Sequence, residues 1–117
     1  MSLFSTSVSE RKPNWVSSTA SDAGHRVEPF LLRDRAPDAL QALATLIEQQ
    51  PRTKIVSQTD DRLRAEFRSL LFRFVDDVEF VAVDDRLEVQ SASRVGHSDL
   101  GVNRRRVEAL RAKYAGV

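Results

Sequence analysis

Between Ser91 and Arg106 the chain gathers its densest set of groups able to bind or transform something. Ser91, Ser93, Arg94, His97, Ser98, Asp99, Asn103 and Arg104 stand there, spaced by Gly96 and Gly101. Two adjacent carboxylates, Asp76 and Asp77, lie upstream. Serine hydroxyls, a primary amide and guanidinium groups in fixed positions recognise anions and carbonyls without making bonds. Together with those carboxylates the stretch also offers a hydrolytic or anion-processing chemistry that would use Asp76, Asp77, Arg94, His97 and Asp99. His97, Ser98 and Asp99 are the residue types of a catalytic triad, but neighbours in sequence rarely align that way, and no G-x-S-x-G elbow accompanies them.

Metal and phosphate motifs are weaker. Two histidines (His25 and His97) and no cysteine provide no recognised zinc spacing. Gly96 and Gly101 bracket a helix start whose free amides favour anions, with Arg94 and Arg104 able to add charge. The lysine of a P-loop is missing, and Asp99 would compete for the same amides. No cofactor is expected. Asn103 stands alone as a polar residue inside an apolar helical stripe, where an amide is costly unless bonded. Its expected role is a clamp on the Arg94–Asp99 loop and on Ser91 and Ser93. Arg94 is expected to be buried and paired with Asp76, Asp77 or Asp99, with Arg73 as a second cation near the same carboxylates. Arg104 and Arg111 flank the stripe and are expected to pair with strand carboxylates, while the run Arg104 to Arg106 reads as mostly solvated.

The elements that must position these groups follow from periodicity. Pro37 to Gln49 reads as a helix, with Pro37 in the first turn, Asp38 on the dipole and Leu40, Leu43, Ala44 and Ile47 on one face. Arg52 to Ser57 reads as a short strand. Three Asp-Asp pairs, at 60–61, 76–77 and 84–85, are read as turns between strands, since Asp side chains bond nearby backbone amides. From Arg62, Leu63, Ala65 and Phe67 alternate inward and the phase then moves to Leu70, Phe72 and Phe74, the pattern of a bulge near Arg68-Ser69. Val78 to Val83 and Leu87 to Ser93 complete the strands. A second helix is expected from Ser98 or Asp99, as N-cap, to about Tyr114, with Leu100, Asn103, Val107, Leu110 and Tyr114 as its stripe.

The fold expected is therefore α+β: a four-stranded antiparallel meander with two helices on one face, in the order helix, four strands, helix. An irregular N-terminal segment precedes it. Residues 1–12 are polar and read as a disordered arm. Residues 13–35 carry enough apolar side chains to drape over the core, with a short strand at Val27–Leu32. Residues 13–117 form a single domain.

Composition limits the partners. The 117 residues carry 18 basic and 17 acidic side chains. Fifteen of those bases are arginine, and they alternate with acids along the chain. That pattern favours internal pairing and disfavours a duplex nucleic acid as partner, which leaves a small anionic ligand or a protein. No apolar run approaches the roughly 20 residues of a membrane span. Neither a signal-peptide pattern nor cysteine is visible, so the expected location is cytoplasmic.

The segments Leu71-Phe-Arg-Phe-Val-Asp-Asp-Val-Glu-Phe80, Ser91 to Arg104 and Asn14-Trp-Val-Ser-Ser18 resemble the Domain of Unknown Function 1499 family. The resemblance spans roughly residues 13 to 112. It implies a single domain but no accepted activity. Many members have Cys where this chain has Trp15, so no thiol role carries over. Neither does the membrane anchoring or export seen in many members. The function expected is a small soluble binding or interaction module with the 91–104 corner as its site, and the alternative is the hydrolytic or anion-processing enzyme above.

Overall fold

Alternation of inward and outward side chains, clearest over Arg62–Arg68, builds the sheet, and each helix packs a 3.6-residue stripe against one side of it. The computed structural model describes residues 3–9, 11–70, 74–96 and 100–117. Its elements are β1 (Trp15–Ser17), β2 (Phe30–Leu31), α1 (Ala36–Glu48), β3 (Thr53–Gln58), β4 (Arg62–Arg68), β5 (Val75–Val83), β6 (Arg86–Ser93) and α2 (Val102–Ala115). The strands β3 to β6 form the expected antiparallel meander. The sheet is nevertheless six-stranded, in the order β1-β6-β5-β4-β3, with β2 also pairing with β6. The two added strands come from the segment expected to drape. At three and two residues they are too short to show a period, and only their pairing with β6 makes them strands.

Leu63 and Ala65 of β4, Val78 and Phe80 of β5, and Leu87 and Val89 of β6 face the helices. They join Leu40, Leu43 and Ile47 of α1 and Val107, Leu110 and Tyr114 of α2 in one core. Residues on the outer face, away from the helices, include Glu79, Glu88, Gln90 and Ala92, all buried. Trp15, Ala20 and Ala92 form a second apolar cluster there, and His25 stacks on Trp15 with ring centroids 3.9 Å apart. Residues 3–9 lie across this face with Phe4 buried. They do not hang free, because outward side chains of the sheet supply the bonds that their own composition cannot.

Three expectations change. Asp76 and Asp77 are not a turn. They sit inside β5, opposite Ser93 and Ala92 of β6. The flanking apolar runs looked like two strands, but β5 already begins at Val75, and ahead of it Ser69 N donates to Phe74 O at 2.9 Å and Phe74 N to Ser69 Oγ at 2.9 Å. The bulge expected near Arg68-Ser69 is absent, since β4 pairs with β5 in unbroken register from Arg62 to Arg68. The phase change marks the end of β4, with Leu70 exposed beyond it. An irregularity does occur between Ile55 and Ser57 of β3. Finally, Leu100 leaves the apolar stripe. It is exposed with φ 54°, and α2 begins at Val102 after a left-handed Gly101. Ser98 and Asp99, the expected caps, lie outside the described residues.

Candidate functional site

Ser91 and Ser93 share the helix-facing side of β6, and the first turn of α2 brings Asn103 against both. Asn103 is fully buried. Its Oδ1 accepts from Ser91 Oγ at 2.6 Å and from Arg106 Nη1 at 3.0 Å. Its Nδ2 donates to Ser93 Oγ at 2.9 Å and to the carbonyl of Asn14 at 3.1 Å. The amide orientation is dictated by its neighbours, since a guanidinium can only donate and a carbonyl can only accept. Asn14 in turn donates from Nδ2 to Gly96 O at 2.9 Å. The amide thus joins α2, β6 and the entry to β1, and the Asn14 amide holds the chain just past β6.

Arg106 extends this network to a carboxylate. Its Nη1 lies 2.9 Å from Asp76 Oδ2, with the Arg106 side chain 15% exposed. Its guanidinium carbon stands 4.7 Å from the centre of the Phe67 ring, a cation–π arrangement. Among the described residues both hydrogen bonds of this side chain run through Nη1, the atom that also faces Asp76. Arg106 and Asp76 also line a cleft of about 330 Å³ with Arg52, Arg68, Lys113 and Phe67. Pro51, Val102, Ala109 and Leu110 make the rest of its wall largely apolar.

Arg94 points to the opposite face. Its Nε and Nη2 grip Asp77 at 2.8 and 2.9 Å, and Nη2 also reaches Glu66 at 2.9 Å. Bonding to Asp77 first, and to Glu66 second, pushes the guanidinium pKa still higher. The expected pairing with Asp77 is present, but burial is not: the side chain is 47% exposed. Glu66 had not been foreseen, and Asp76 belongs to Arg106 instead.

The described part of the proposed acid–base cluster is therefore divided between two faces of the sheet, because adjacent strand residues point opposite ways. His97, Ser98, Asp99 and Arg73 lie outside the described residues. Arg104 does not pair with a strand carboxylate. It donates to Arg26 O at 2.9 Å and Gly24 O at 3.0 Å. Arg111 likewise holds the loop before β2, donating to Glu28 O at 2.6 Å and Pro29 O at 3.0 Å, and it pairs with Glu108 of its own helix.

Arg106, Asn14 and Phe67 are the participants that sequence reasoning missed. A signal existed for Arg106. It stands three residues after Asn103, so the two share one flank of the helix.

A family model described as Protein of unknown function (DUF1499) matches residues 7–114. No curated protein matches, and no solved structure does. Among the described residues no helix is long and apolar enough to cross a membrane.

Proposed function

Because the chain belongs to the DUF1499 family of proteins of unknown function, no activity comes with the fold, and we propose from the Arg106 cleft that it is a binding module for a small organic anion. The observation that carries this is a local charge excess. Arg52, Arg68, Arg106 and Lys113 line one cleft with a single carboxylate, Asp76, in a chain whose net charge is only +1. Asp76 pairs with Arg106, and Arg68 reaches Glu66, outside the cleft lining, at 3.9 Å.

Recognition would rest on Arg106. Asp76, Asn103 and the Phe67 ring hold its guanidinium in place, so little ordering cost remains to be met on binding. With its bonds concentrated on Nη1, Nε and Nη2 are left as a donor edge for a carboxylate or phosphate. Arg52, Arg68 and Lys113 add charge at the rim. Phe67, Ala109 and Leu110 suit an apolar body behind the anionic head. The cleft volume lies at the small end of the range for ligand sites.

The test is an amide chemical-shift titration with phenyl phosphate, with phenol and inorganic phosphate as the two halves of that probe. Saturable shifts should cluster at Arg52, Phe67–Ser69 and Arg106–Lys113. Lys113→Glu or Arg68→Glu should weaken binding by about tenfold, equivalent to about 1.4 kcal/mol. Shifts that fail to saturate, cluster elsewhere or ignore both charge reversals would remove the proposal.

A further inference from the structure

The segment 3–9 crosses the outer face roughly perpendicular to the strands, and four strands in spatial order each hold one of its backbone groups. Arg62 of β4 donates from Nη1 to Leu3 O at 3.1 Å. Glu79 of β5 accepts from Ser5 N at 2.8 Å, and its second oxygen accepts from Ser5 Oγ at 3.2 Å. Gln90 of β6 donates to Thr6 O at 2.9 Å. Trp15 of β1 donates from its indole nitrogen to Ser9 O at 2.7 Å. Between the first two contacts Phe4 is buried, with 5% of its surface exposed.

We infer that this face is a groove for an extended peptide segment, occupied in cis by the chain's own residues 3–9. Its ligand class is a segment with an aromatic anchor followed by a hydroxyl residue, as in Phe4-Ser5. Recognition of backbone carbonyls and an amide by side chains does not require the segment to be joined to the domain. Covalent attachment only raises its effective concentration.

The chemistry of the floor supports an occupant that can leave. A face covered permanently is best lined with apolar side chains, since burying charge brings a desolvation cost that pairing seldom outweighs. Here the floor is mixed, with buried Glu79 and Gln90 set beside the apolar Trp15 and Ala92. Glu79 is only 3% exposed, and its bonds come from Arg62 and from the segment itself. Once the segment lifts, Glu79 and Gln90 are free to meet water. The fit is also incomplete. An open cleft of about 410 Å³ lies beside Thr6 to Ser9, lined also by Lys12, Trp15 and Arg94.

The test uses the full chain and a labelled peptide of residues 2–10, read by fluorescence anisotropy. Trp15, the sole tryptophan, reports the segment's position through its bond to Ser9. Ser5→Pro removes the amide that Glu79 accepts and alters only the covering segment, while Phe4→Ala removes the anchor. Both variants should shift Trp15 emission and bind the peptide at least tenfold tighter than the unaltered chain. A peptide carrying alanine at the Phe4 position should bind at least tenfold more weakly. Peptide binding no tighter in the variants, or indifferent to that alanine, would overturn the inference. Trp15 emission unchanged in both variants would overturn it too, since these contacts would then not hold the segment.

Discussion

Asp76 and Asp77, joined by one peptide bond, serve opposite faces of the sheet. Asp76 meets Arg106 at 2.9 Å under α2, and Asp77 chelates Arg94 at 2.8 and 2.9 Å on the outer side. Their side chains are nearly equally buried, at 11% and 12% exposure, but their partners are not. Arg106 is shielded by α2 and Phe67, whereas Arg94 has half its surface in water.

The two carboxylates should therefore differ in cost when removed. Asp76→Ala leaves a mostly buried guanidinium without its counter-charge, and should destabilise by about 2–4 kcal/mol. Asp77→Ala leaves Arg94 with Glu66 and with solvent, and should cost about 1 kcal/mol or less. Urea unfolding of both variants measures the difference, and equal losses would contradict it.

Arg94→Ala follows the same logic. Its contacts to Asp77 and Glu66 are good in geometry but open to water, so the loss should stay within about 1 kcal/mol. A loss of 3 kcal/mol or more in thermal or urea unfolding would mean the guanidinium is shielded in solution.

Asn103→Leu matches the surrounding stripe in polarity and still should destabilise. It strips partners from Ser91, Ser93, the Asn14 carbonyl and Arg106 together, which should cost about 2–3 kcal/mol. Hydrogen exchange adds a location: amides around residues 14–17 and 91–96 should lose protection together. Unchanged protection there would count against the amide as the joint.

Arg111→Lys keeps the charge but loses the fork that spans Glu28 O and Pro29 O, and the planar stack 4.7 Å above Phe30. A loss of about 1 kcal/mol is expected, by the value of an ordinary hydrogen bond. Arg105→Lys should be near neutral, because Arg105 bonds only the nearby Leu100 carbonyl among the described residues. Parallel unfolding curves for the two variants would show whether the loop contacts matter.

Much of the fold was legible in the residues, because periodicity is local. The stripe of α1, the alternation of β4 to β6 and the stripe Asn103, Val107, Leu110 and Tyr114 each needed only neighbours in sequence to be read. Asn103 could be marked as an anomaly for the same reason, since a polar side chain inside an apolar stripe must find partners wherever it lies. What the sequence could not supply was the identity of partners far along the chain. Asp76-Asp77 has the composition of a turn, and only the unbroken β4–β5 register turned it into strand. β1 and β2 have too few residues for a period and exist through β6. Arg106 belonged to a run of three similar arginines until the rotation of α2 aimed it at Asp76 and Phe67. Residues 3–9 are polar enough to read as free chain, and they are held by Arg62, Glu79, Gln90 and Trp15, four side chains that only the assembled sheet sets in a row.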